Sequence, residues 1–262
     1  MNSVTPSLAR NIPATPLLPS AQVTKQAVHM PDPAHLYDRR WKKLPLSLEA
    51  MVLSRFAQNM CSQQYGIGAR AMCLGLSLIW LKDISCKRDL NCLDDSIRRM
   101  RYLASFDGVV HARIIHNFYT AEHKYLIQHP DPHSVPTLTG STSLMAAASQ
   151  LELTLHLQTN NTDQQKLPLL QLDDQRPQAN AEVLDELRQM MINGSHGLLA
   201  LVGSNQSHIV GFSVINMDNQ RIIVFDSNLG EFDIPLNRFN PTIQNIAQAN
   251  EIKLVGAQVW HE

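Results

Sequence analysis

Of the four cysteines in the chain, Cys61, Cys73, Cys86 and Cys92, one stands where a thiol can do chemistry. The segment Gly68-Ala69-Arg70-Ala71-Met72-Cys73-Leu74-Gly75-Leu76-Ser77-Leu78-Ile79-Trp80 sets Cys73 after a glycine-bearing loop and at the start of an apolar helix. The N–H groups of a helix's first turn carry partial positive charge, which favours thiolate over thiol. The backbone N–H of the cysteine itself can point at the oxygen of an attacked carbonyl. Gly75 and Ser77 are expected to keep that turn slim, so that a substrate chain can approach. A structural cysteine on an apolar helix has the same local pattern, since free cysteine is among the most buried residue types. On spacing alone the two readings weigh equally for Cys73, and the structural one is taken for the other three.

A thiolate nucleophile needs a base, and the base needs an orienter. The β-branched run Ser207 to Ile215 supplies His208, and the returning run Arg221 to Asn228 supplies Asp226. Whether they meet depends on the turn, because side chains alternate faces along a strand. Were Asp218-Asn219 a two-residue loop, Asp226 would stand opposite Gly211, on the face away from His208. With a three-residue turn from Met217 to Asn219, and Asn219 left-handed, Asp226 stands opposite Val210. His208, Val210, Phe212 and Val214 then share a face with Ile222, Val224 and Asp226, and His208 and Asp226 are diagonal neighbours. Taken singly, His208 reads as a strand-edge histidine and Asp226 as a strand-end carboxylate. The rival bases have plainer readings: His196 as a turn residue near Gly194 and Gly197, His111 and His116 as surface or groove residues of an amphipathic helix.

Three motifs in the order Cys, His, Asp resemble a known family. They are Cys73-Leu74-Gly75-Leu76-Ser77-x-x-Trp80, Ser207-His208-Ile209-Val210-Gly211 and Phe225-Asp226-Ser227-Asn228-Leu229-Gly230-Glu231-Phe232. Together they are similar to the YopT/AvrPphB-type cysteine peptidases, bacterial effector proteases on a papain-like fold. The resemblance runs from about Gly66 to Trp260, with the middle helices unrecognised. It implies Cys73 as nucleophile, His208 as general base and acid, and Asp226 as the orienter of the imidazole. It also implies that Trp80 packs behind the nucleophile helix and that Asn228 and Gly230 shape the turn after Asp226. One position departs from the pattern: papain-like enzymes carry an oxyanion-hole Gln or Asn shortly before the cysteine, whereas position 67 is Ile. The nearest candidates are Gln63 and Gln64, and Gln64 is taken as the oxyanion candidate.

The activity so implied is that of a thiol endopeptidase acting on a host protein. Relatives cut membrane-associated signalling proteins such as small GTPases or kinases. The same triad also runs deamidation, transglutamination or acyl transfer to lysine, all through a thioester. A non-catalytic binding module on the same scaffold is the third reading. Self-processing occurs in part of the family, but no cleavage site is recognisable in this sequence. The Ser/Thr/Pro-rich leader without an apolar signal segment fits export by a route that bypasses the classical signal peptide. Delivery into the host cytoplasm, with a secretion chaperone as a further partner, is the corresponding expectation.

These groups need a scaffold. Residues 1–45 read as a disordered or irregular tail, rich in Ser, Thr, Ala and Gln, with prolines at 6, 13, 16, 19, 31, 33 and 45. Residues 46–262 read as one papain-like domain. Helical periodicity begins at Ser47 as N-cap, with Leu48, Met51, Val52 and Phe56 in register, and recurs over 71–84, 93–105, 108–128, 141–157 and 180–192. Short β-branched runs follow at 196–202, 208–216, 221–227 and 253–260, with a helix near 240–250 before the last. Helices first and strands last predict an α+β domain, a helical half followed by an antiparallel sheet, with the catalytic cleft between them. The 22 basic and 23 acidic residues leave a net charge of −1, which argues against a nucleic-acid partner. No apolar run is long enough to span a bilayer. The eleven histidines and four cysteines form no cluster with metal-ligand spacing, so neither metal nor cofactor is expected.

Overall fold

The computed structural model describes residues 39–67, 72–86, 93–129, 139–157, 170–171, 184–189, 196–203, 206–216 and 221–262. The first half is helical: α1 (Leu46–Glu49), α2 (Gln58–Gln64), α3 (Cys73–Ser85), α4 (Leu93–Ala104), α5 (Phe106–Gln128) and α6 (Thr139–Ser149), with a strand, β1 (Val52–Arg55), between α1 and α2. The second half holds β2 (His156–Leu157), β3 (Leu170–Gln171), a helix described over 184–189 (α7), and β4 (His196–Gly203). Then come β5 (Ser207–Asn216), β6 (Arg221–Asp226), β7 (Gly230–Pro235), α8 (Phe239–Ala249) and β8 (Leu254–His261). The strands form one eight-stranded sheet in the order β1-β7-β6-β5-β4-β8-β2, with β3 also paired to β8. Every pairing is antiparallel. This is the expected α+β, papain-like arrangement.

Alternation along the strands builds two cores. Leu198, Ile223 and Phe225 face the helical half and pack with Leu78, Trp80, Val109 and Ala112. Val210, Phe212, Ile222, Val224 and Phe232 face the other way, onto Ile243 and Ile246 of α8 and onto Trp41. The sheet is therefore covered on both faces. Among the described residues no helix is long and apolar enough to cross a membrane.

Three sequence expectations change. The helix expected from Ser47 through Phe56 is a single turn, α1, with Pro45 at its N-cap, followed by β1. Pairing of Val52 with Phe232 and Arg55 with Gly230 satisfies backbone groups there, and tertiary pairing overrides a weak local preference. The helix expected over 141–157 stops at Ser149, and His156–Leu157 joins the edge of β8. The folded unit starts before the expected boundary at 45. Residues 39–43 form a 3-10 turn whose Trp41 is 1 % exposed, stacked on Phe232 at 6.2 Å, with the Arg55 guanidinium 4.6 Å from its ring centre. Leu44 is buried too. Residues 1–38, the turn expected at 217–219, Cys92, and both ends of the helix expected over 180–192 lie outside the described residues.

Candidate active site

Cys73 is the first residue of α3, after an N-cap, Met72, whose side chain makes no capping bond. The N–H groups of that turn are thus left for another acceptor. Three contacts dock α3 onto the sheet. Ser77 Oγ donates to the Ile209 carbonyl at 3.2 Å. Trp80 stacks on Phe225, centroids 5.5 Å apart and rings 11° from parallel. Trp80 also lies so close over Gly211 that a Cβ there would stand 2.5 Å from its ring. Behind it, Trp80 Nε1 donates to Glu231 Oε2 at 3.0 Å, and Arg99 Nε donates to the same oxygen at 3.1 Å. Contrary to the expectation from the sequence, Gly75 and Ser77 do not face an approaching substrate. Both are buried, and a Cβ at Gly75 would stand 2.1 Å from the Ala112 carbonyl oxygen on α5. The small residues serve helix and sheet packing.

The strand register brings His208 and Asp226 together. Asp226 pairs with Val210 and Val224 with Phe212, so both groups lie on one face. An irregularity between Val214 and Asn216 shifts the pairing, and Asn216 stands opposite Arg221. His208 Nε2 lies 2.7 Å from Asp226 Oδ2. A carboxylate only accepts, so Nε2–H donates and Nδ1 is left for Cys73. The Asp226 carboxylate has two further donors: the Asn228 backbone N–H on Oδ1 at 2.8 Å and Asn250 Nδ2 on Oδ2 at 3.0 Å. Gly230, opposite Asp226, takes φ +113° where β7 starts, and a Cβ there would collide with the Ser54 carbonyl.

Electrostatics couple the thiol and the ring. Burial opposes the Cys73 thiolate, but the hydrogen bond and charge of His208 and the N–H groups of Ile209 and Leu74 outweigh it. The thiol is held below its ordinary range. Burial also opposes the charged imidazole, yet the Asp226 charge and hydrogen bond, with Cys73 adding to them, raise His208 to about 10. The favoured state is a thiolate–imidazolium pair. By contrast, burial pushes the Cys61 thiol up to about 12. Cys86 is exposed.

A cavity of about 280 Å³ opens at Cys73 between the helical half and the sheet. Leu74, Leu144, Ala200, Val202, Ile209 and Trp260 supply its apolar wall. His116 and Tyr119 of α5 also line it. Burial and nearby Arg113 hold His116 below its usual value, and burial and the Cys73 charge push Tyr119 up, so both are uncharged near neutrality. Gln64 is exposed at the end of α2 and is not part of this wall. His196 bonds Ser213 Oγ through Nδ1 at 2.8 Å, and the Tyr102 hydroxyl lies 3.5 Å from His111 Nδ1. Neither meets Cys73. Among the described residues no cluster of His, Cys, Asp and Glu is placed to hold a metal ion. The parts played by Asn250, Glu231 and Arg99 leave no signal in the sequence. Asn250 reads there as an ordinary helix end, and a buried Arg–Glu pair leaves no local pattern.

No family model matches the chain. It is 38% identical over 247 residues to the probable cysteine protease avirulence protein AvrPpiC2 of Pseudomonas syringae pv. pisi, covering 92% of this chain and 90% of that protein. Its fold is similar to the crystal structure of the Pseudomonas avirulence protein AvrPphB, with a TM-score of 0.58 at 16% identity, over 81% of this chain and 97% of the other. The overall identity to the first, joined to the fold of the second, means that the chain belongs to the YopT/AvrPphB-type family of papain-like cysteine peptidases.

Proposed function

We propose that Cys73, His208 and Asp226 are the catalytic triad of this cysteine peptidase, an effector protease, and that it cuts a peptide bond of a host protein. The observation that carries the reading is the His208 ring, bonded through Nε2 to Asp226 at 2.7 Å and hydrogen-bonded to a thiol on the first turn of α3.

The chemistry follows from that arrangement. The Cys73 thiolate attacks the carbonyl carbon, and a C–S bond forms. The N–H groups at the start of α3 stabilise the oxygen that gains charge. The imidazolium gives its proton to the leaving nitrogen as the C–N bond breaks, leaving a thioester and a neutral ring. The ring then takes a proton from water, and the hydroxide releases the acid and regenerates the thiolate. Asp226 transfers no proton; it fixes the ring's tautomer and favours the imidazolium. The mainly apolar wall of the cavity beside Cys73 supports an apolar substrate side chain next to the scissile bond.

The family resemblance supports a membrane-associated signalling protein, such as a small GTPase or kinase, as the class of host substrate. The avirulence designation of AvrPpiC2 supports delivery into a host cell. For the host cytoplasm as destination, the family resemblance is likewise the support.

The test is labelling with an epoxide or iodoacetamide probe, followed by peptide mapping. Host extract is then digested with the wild type and with Cys73→Ala and compared for new protein N-termini. The expected result is one labelled site, Cys73, and new N-termini made by the wild type alone. Equal labelling of Cys61, Cys73 and Cys86 would sink the assignment. A +1 Da shift or an added acyl group on a target, with no new N-terminus, would replace cleavage with deamidation or acyl transfer.

A further inference from the structure

The Asp226 carboxylate that orients His208 is itself held by a side chain from another element. Asn250 follows the last residue of α8 and is 8 % exposed. Its Nδ2 donates to Asp226 Oδ2 at 3.0 Å and to the Ile246 carbonyl at 2.9 Å. Both partners only accept, so the amide nitrogen must face them and the orientation of the group is set by chemistry. The oxygen end is pinned as well: Asn228 Nδ2 donates to Asn250 Oδ1 at 2.6 Å. Gln206, two residues before His208, donates through Nε2 to the Asn250 carbonyl at 3.1 Å and the Glu251 carbonyl at 3.0 Å. The α8 end is thus tied both to the carboxylate and to the strand that carries the histidine. Glu251 takes φ 60° there, a left-handed conformation that a non-glycine residue keeps only when its surroundings impose it.

We infer that Asn250 is a positioning residue of the peptidase reaction, holding the Asp226 carboxylate, and through it the His208 ring, in line with Cys73. The inference rests on the triad proposed above. Asp226 ends its strand, and Oδ2 is the oxygen that receives His208. Without the amide donor, that oxygen keeps the ring as its one side-chain partner among the described residues. The carboxylate is then anchored only by the Asn228 backbone N–H on Oδ1 and turns about that bond, and the ring turns with it.

The sharpest test is Asn250→Asp, which keeps the shape and replaces the donor by an ionisable oxygen. The groups facing it are Asp226 and His208, with Cys73 beyond the ring. Glu251, next in the chain, is exposed and paired with Lys43 at 2.6 Å, with Arg39 and Arg40 nearby. Two carboxyl groups sharing a site keep a proton between them until the pH is well above the usual carboxylate range. While the introduced carboxyl is protonated, its O–H donates to Asp226 in place of the amide; once ionised it repels Asp226. The expected kcat is within about threefold of wild type near pH 5 and lower by about tenfold or more near pH 8, with KM unchanged. Asn250→Ala is expected to lose about tenfold in kcat at every pH, because its missing donor has no titratable substitute.

A folded Asn250→Asp variant whose profile runs parallel to wild type across this range overturns the inference. Where that variant fails to fold, Asn250→Ser is followed instead by the low-field NMR resonance of the His208 ring N–H, and an unshifted resonance overturns it as well. Asp226→Ala separates the two layers. Its inactivity beside normal Asn250 variants refutes the role of Asn250 alone. Full activity of Asp226→Ala refutes the triad itself.

Discussion

Glu231 joins α3 to the sheet, and its removal has a calculable cost. Its carboxylate is 0 % exposed and faces the Arg99 guanidinium, 1 % exposed, at 2.5 Å from Nη2 and 3.1 Å from Nε. It also accepts the Trp80 indole N–H at 3.0 Å. Replacing Glu231 with Leu leaves a buried cation without its partner, a loss of about 3–5 kcal/mol. The orphaned indole N–H adds about 1–3 kcal/mol. Against a whole stability of about 5–15 kcal/mol this is a large fraction. At about 2–4 °C per kcal/mol for a domain of this size, the ion-pair loss alone lowers Tm by about 6–20 °C. Removing the cation as well, in Arg99→Met with Glu231→Leu, is expected to recover stability relative to Glu231→Leu alone, because no buried charge is left uncompensated. The assay is thermal unfolding by circular dichroism on the two single variants and the double. The rate of iodoacetamide attack on Cys73 is measured at a temperature where all remain folded, and slows in Glu231→Leu as Trp80 loosens under α3. A Glu231→Leu protein within about 1 kcal/mol of wild type, or a double variant no better than the sum of the singles, would refute the reasoning.

Further outcomes follow from the same geometry. Alkylation of Cys73 should hold its rate through neutral pH, because its thiol is held low and His208 is raised to about 10. As pH falls through the lowered thiol value the thiolate takes up a proton and labelling slows, whereas a free thiol already slows by about tenfold per pH unit below about 8.5. The stability that His208 gains from its partners is full below about 6.5, its unfolded value, and is lost as pH rises through the folded one. A stability maximum above pH 10 would contradict that sign. Gly211→Ala should cost about 1–3 kcal/mol and slow alkylation, since the new methyl meets the Trp80 ring and pushes α3 off the sheet; denaturant unfolding and labelling rates check both. Ala200→Phe fills the cavity wall and should raise KM with kcat little changed in steady-state kinetics. Deleting residues 1–35 should leave Tm unchanged, whereas deletion through 45 removes Trp41 and Leu44 from the core and lowers it, which a pair of melting curves decides.

Much of this site was readable because the deciding variable was local. Faces alternate along a strand, so register decides whether His208 and Asp226 meet; the observed pairing of Asp226 with Val210 is the register in which they do, and it is reached through the irregularity between Val214 and Asn216. The order of helices and strands was also written in periodicity, with β4, β5, β6 and β8 within two residues of their expected bounds. What escaped depends on contacts far apart in the chain. β1 looks helical until β7 is beside it, and Gly230–Pro235 of β7 stands outside the β-branched runs that mark the other long strands. The role of Gly75 depends on where Ala112 passes, 37 positions later. Asn250 lies 24 residues from Asp226, on a different kind of element, with no shared period to link them.

His208 and Asp226 stand 18 residues apart on one hairpin, whereas Ser77, which docks the cysteine helix to that hairpin, is 132 residues from its partner Ile209. The imidazole and the carboxylate therefore assemble from a short stretch of chain, while the thiol joins them across a long loop. Before that closure Cys73 has no imidazolium beside it and is chemically an ordinary thiol, one of four in the chain. The lowered thiol of Cys73 is a product of that long-range contact. An unfolded copy lacks the thiolate–imidazolium pair, so the fold itself is the switch that arms the thiol.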